Sequence, residues 1–109
     1  MSGSLFDDLP EAQDDAVATY LHLTKVVMPA HARQPDVRWP VNEDHCFQRI
    51  VLDALFGDVW YRHLAKPAYR HLTRAQAMQA VQLCEDILAG RADLHALNAA
   101  SLRYRGKLR

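Results

Sequence analysis

A chain of 109 residues is the size of one domain, and its 13 basic and 13 acidic side chains exclude attraction to a polyanion through net charge alone. With 50% of its residues apolar and 24% charged it is not a disordered chain. No apolar run approaches the roughly 18 residues of a membrane span, and the opening Met1-Ser2-Gly3-Ser4 with the acids that follow lacks the basic start of a signal peptide, so a cytoplasmic protein with no membrane association is expected.

Charge is uneven along the chain. Asp7, Asp8, Glu11, Asp14 and Asp15 precede Lys25, whereas Arg103, Arg105, Lys107 and Arg109 close the sequence without an acid. Pro10 and the acids behind it suit a first helical turn, and Ala16, Tyr20, Leu23 and Val27 recur at helical spacing. Helix one is predicted over about 10–27, because Pro29 disfavours helix through Met28. Residues 28–41 then read as a long proline-containing loop anchored by Trp39.

The core helices are expected within 42–105. Asn42 is the expected N-cap of the second, with Phe47, Ile50, Val51, Ala54 and Leu55 on one face and Gly57 as its stop. Between Asp58 and Pro67 a short extra helix is expected. Thr73-Arg74-Ala75-Gln76 matches a capping box, and Ala77, Val81, Cys84 and Leu88 follow at helical spacing up to Gly90. The third helix, about 74–89, therefore reads as central, with Ala80, Leu83 and Ile87 widening its apolar face. Asp93 caps a fourth helix bearing Leu94, Leu97, Ala100 and Tyr104, predicted to form an antiparallel hairpin with the third. The fold class is all-α: four main helices, one short extra helix and a long loop, in a single domain over 1–109.

Glycines occur only at 3, 57, 90 and 106, too far apart for a phosphate-cradling G-x-G-x-x-G or Walker A loop, so no nucleotide cofactor of that kind is expected. His45 and Cys46 are neighbours on a helix and point about 100° apart, so Cys46 and Cys84 read as reduced core thiols and His45 as a surface residue. The remaining histidines fall at no metal-ligand spacing, and neither a metal site nor a catalytic residue is assigned. Asp53, in an apolar helix, reads as a salt-bridge partner of Arg49 one turn earlier.

Arg62, Lys66, Arg70 and Arg74 recur every fourth residue among Trp60, Tyr61, His63, Tyr69 and His71, a mixture that neutralises phosphates and offers rings to bases. With Arg103, Arg105 and Lys107 they form the candidate nucleic-acid-binding set, and Trp39 and Trp60 are the candidate partner-interface residues. The function expected is a small helical binding module that contacts either nucleic acid, through residues 60–74 and the basic tail, or another protein. Its alternatives are a self-associating protein-interaction adaptor, with helix one exchanged in a homodimer, and an enzyme of unrecognised type. Ala54 and Gly57 miss the helix-turn-helix spacing by one residue.

Trp39-Pro40-Val41, His45-Cys46-Phe47-Gln48-Arg49-Ile50, Pro67-Ala68-Tyr69, and the stretch from Leu97 through Arg105-Gly106-Lys107 resemble short uncharacterised bacterial helical proteins, some labelled acetyltransferase-related. The chain departs from the common acetyltransferase pattern in lacking a [RQ]-x-x-G-x-[GA] loop and any strand pattern, and that activity is not implied.

Overall fold

The computed structural model describes residues 15–107. The expected start of helix one at Pro10, and the acids at 7, 8, 11 and 14, lie outside the described residues. What is described is all-α: α1 (15–32), α2 (Asp44–Phe56), α3 (Arg74–Leu88) and α4 (Leu94–Tyr104), with 3-10 turns at Trp60–Arg62 and Ala68–Arg70 and no strand among the described residues. No helix among them is long and apolar enough to cross a membrane.

Helix α1 does not stop before Pro29. Leu23–Val27 wind as a π-helix, the Met28 N–H reaches the Leu23 carbonyl, and α-helix resumes over Met28–Ala32. Proline has no N–H to donate and its ring crowds the carbonyl four residues back, so one expanded turn lets the helix pass it. Thr24, fully buried, holds that turn by donating its hydroxyl to the Tyr20 carbonyl at 3.0 Å and accepting from Gln48 Nε2 of α2 at 3.1 Å. The expected loop is accordingly shorter, and Trp39 anchors it against His31 and Phe47, with ring centroids 4.6 and 5.6 Å away.

Helix α2 begins one residue later than the sequence suggests: Glu43 is the N-cap, and Asp44 Oδ1 accepts the His45 N–H at 2.7 Å. Gly57 closes it in the left-handed region at φ 64°, which a Cβ would disfavour. The capping box of α3 forms in both directions, Gln76 N–H to Thr73 Oγ1 at 3.1 Å and Thr73 N–H to Gln76 Oε1 at 2.9 Å. Asp93 Oδ1 caps α4 by accepting the Ala96 N–H at 3.2 Å.

The central helix is α2 rather than α3, and α3 and α4 do not form the expected hairpin; each packs on α2. The reason lies in the inward stripe of α4, which carries Asn98, Ser101 and Arg105 behind Leu94, while Tyr104 is exposed. Those polar side chains find their partners, Arg49 and Asp53, on α2. The apolar core then fills between Tyr20, Leu23 and Met28 of α1, Phe47, Ile50 and Val51 of α2, and Ala77, Ala80, Cys84 and Ile87 of α3.

Candidate functional site

Asp53 is fully buried and every lone pair it offers is used. Its Oδ1 accepts the Trp60 backbone N–H at 2.9 Å and Arg105 Nη2 at 3.1 Å, while Oδ2 accepts Ser101 Oγ at 2.6 Å and Arg105 Nε at 2.8 Å. Its partner is therefore Arg105, not Arg49 as expected. The carboxylate raises the guanidinium of Arg105 above its ordinary value, chiefly through these hydrogen bonds. A carboxylate so engaged is not free to act as a general base. It ties the start of the Trp60–Arg62 turn to α2 and to the end of α4.

Arg49 enters the same network from the other side. Its Nη1 donates to Ser101 Oγ at 2.8 Å and its Nη2 to Asn98 Oδ1 at 2.8 Å, both neutral oxygens. Half-buried and held by two points, the guanidinium has a fixed direction and no carboxylate of its own.

Of this network Arg49, Arg105 and Trp60 line a cleft of about 520 Å3. Five basic side chains line it, Lys25, His45, Arg49, Lys66 and Arg105, and so do four aromatic residues, Tyr20, Trp60, Tyr61 and Tyr69; no aspartate or glutamate among the described residues does. Leu21, Leu52 and Ala68 supply an apolar floor. Tyr61, exposed at the mouth, takes a cation on its ring twice, Lys66 Nζ at 4.7 Å and the Arg105 guanidinium at 5.4 Å from the centroid. Trp60 meets Tyr61 edge to face at 5.6 Å.

Of the residues singled out in the sequence, Lys66, Arg105 and Trp60 thus converge on the cleft, with Tyr61 and Tyr69 of the same basic and aromatic segment. Arg70 lies beside it, its guanidinium 5.8 Å from the ring of Tyr69. Arg62 is drawn away by Asp58, at 3.2 Å, which also takes His63 at 3.1 Å. Arg74, Arg103 and Lys107 are exposed but outside the lining, and Trp39 belongs to the loop anchor. Lys25, His45 and Arg49 are not among the candidate binding residues, because His45 reads as a surface residue, Arg49 as a partner of Asp53 and Lys25 as an isolated charge. Their convergence depends on the π turn and on how α1 crosses α2.

Glu43, His45 and Cys46 bring their ligand atoms within 4.8 Å of one another, closer than neighbouring helical positions suggest, since Glu43 is still in extended backbone. They surround the positive end of the α2 dipole, where a cation is disfavoured. Comparison of the chain with protein-family models, curated proteins and solved structures finds no match.

Proposed function

We propose that this protein is a small helical binding module that holds single-stranded nucleic acid, with an unstacked base and its phosphate drawn into the cleft beneath Tyr61. The observation that carries the proposal is the lining: five basic and four aromatic side chains around one cavity, with no carboxylate among the described residues that line it. Cations neutralise phosphate while rings offer a stacking face that every base can use, at about 1–3 kcal/mol per base. A duplex keeps its bases stacked on each other and gains only the phosphate part, so the single strand is favoured. The cysteines, both free thiols, suit the reducing cytoplasm proposed as its location.

Fluorescence anisotropy with a labelled hexanucleotide, as single strand and as duplex, at 50 and 200 mM salt tests this. About three phosphate contacts predict a loss of roughly tenfold across that interval. Binding indifferent to salt, or a preference for duplex, overturns the proposal.

A further inference from the structure

Charge, rigidity and size in the cleft constrain its occupant more closely than nucleic-acid binding in general requires. Lys25, Arg49, Lys66 and Arg105 are four permanent cations on its lining, and among the described residues only Arg105 has a carboxylate partner, the buried Asp53. A phosphodiester brings a single negative charge, and one such group leaves most of this charge unmatched. A phosphomonoester brings about −1.5 to −2 and three acceptor oxygens.

Arg49 is built to receive such a group. A guanidinium has five N–H donors, and Arg49 commits one each from Nη1 and Nη2 to Ser101 and Asn98. The rest of its fork is fixed in place before any ligand arrives, which lowers the ordering cost of binding. Lys25 rises from the π turn whose backbone Gln48 of α2 pins through Thr24, and Lys25 and Gln48 both line the cleft. Expanded turns of this kind recur at functional sites. A volume of about 520 Å3 is that of a compartment for one small ligand rather than of a track along a strand.

We propose that the occupant of the cleft is a nucleotide bearing a phosphomonoester, its phosphate received by Arg49 together with Lys25 and Lys66 and its base laid against Tyr61. This rests on the single-strand reading above for its base-stacking half. The same chemistry is offered by a free mononucleotide and by the phosphorylated end of a strand, and the experiment separates them.

Affinities of the full chain would be measured for hexanucleotides ending in 5′-phosphate, in 3′-phosphate or in hydroxyl groups alone, and for adenosine 5′-monophosphate against adenosine. A phosphorylated end should bind about tenfold or more tightly than hydroxyl ends, the scale of one or two charge-assisted hydrogen bonds. Arg49→Gln should abolish that preference while leaving a residual affinity. Lys66→Gln, at an exposed position, should reduce it independently. Equal affinity for phosphorylated and hydroxyl-ended strands overturns this inference and leaves the single-strand function standing. Preference for the monophosphate over adenosine with no strand bound supports the nucleotide occupant and removes the strand. Preference undiminished in both variants overturns the placement on Arg49 and Lys66, and no binding of any probe overturns both proposals.

Discussion

Arg49 and Asp53 stand one turn apart on α2, and the hydroxyl of Ser101 joins them: it accepts from Arg49 Nη1 at 2.8 Å and donates to Asp53 Oδ2 at 2.6 Å. One helix from elsewhere in the sequence thus supplies the oxygen that keeps a base and an acid, at ideal spacing for a salt bridge, in separate roles. Asp53 is spent on Arg105 inside the protein, and the charge of Arg49 is left facing the cleft.

Removing the acid should therefore be costly. Asp53→Ala strands the Arg105 guanidinium, the Ser101 hydroxyl and the Trp60 N–H together, and loss of one partner of a buried pair costs about 3 kcal/mol or more. Asp58→Ala breaks solvent-exposed pairs to Arg62 and His63, which contribute little, together with the hydrogen bond that its Oδ1 accepts from the Val59 N–H at 2.7 Å. Urea denaturation of the two variants should show a large shift of midpoint for the first and a small one for the second.

Binding should divide the basic segment in the same way. Lys66→Ala and Tyr61→Ala should each weaken single-strand binding several-fold, at about 1 kcal/mol or more for a lost stacking ring, whereas Arg62→Ala, whose charge is already drawn to Asp58, should change it little. Equal losses for Arg62→Ala and Lys66→Ala would mean that a diffuse basic face, not the cleft, carries the binding.

The helices bounded by local chemistry were legible in the sequence: the Thr73–Gln76 capping box, Asp93 as a cap and Gly57 as a stop all depend on residues within one turn of each other. What was not legible depends on partners far along the chain. The passage of α1 through Pro29 depends on Thr24 and on Gln48, 24 residues away, and the docking of α4 on α2 depends on bonds spanning 48 to 52 residues. Apolar periodicity pointed to Tyr104 as an inward position of α4, but the hydrogen bonds of Asn98, Ser101 and Arg105 turn that helix the other way. The cleft inherits part of the same blindness: Trp60, Tyr61, Lys66, Tyr69 and Arg105 of its lining belonged to a visible pattern, whereas Lys25, His45, Gln48 and Arg49 did not.

Acid should loosen the loops before the core. The Val59 N–H, His63 and Arg62 hold the carboxyl of Asp58 below its ordinary value, and Gln82 and Arg91 do so for Asp86. For carboxyls lowered in the folded state, the stabilisation is present above the unfolded value near 4 and is lost as pH falls through the folded one. Stability measured from pH 6 downward should therefore decline chiefly below about pH 4, and Asp58→Asn with Asp86→Asn should flatten that decline.

At the alkaline end burial raises both the hydroxyl of Tyr20 and, beginning at lower pH, the thiol of Cys84. Cys84 has no exposure, and burial, with the charge of Glu85 adding to it, pushes its thiol from 9.0 up to about 12. The unfolded chain releases this proton above about 9, while the folded protein keeps it until about 12, so protein stability falls as pH rises through that window. At pH 8 the folded state presents neither an accessible sulfur nor a thiolate, and only the thiolate attacks a disulfide reagent. Cys46 is half-buried at the first turn of α2 and has no such protection. Ellman's reagent should accordingly modify one thiol readily at pH 8 and the second only at the rate at which the protein opens. In the Cys46→Ser variant the whole reaction should wait for unfolding and accelerate through the urea transition. Prompt reaction in that variant under native conditions would show that α3 does not hold Cys84 against α2.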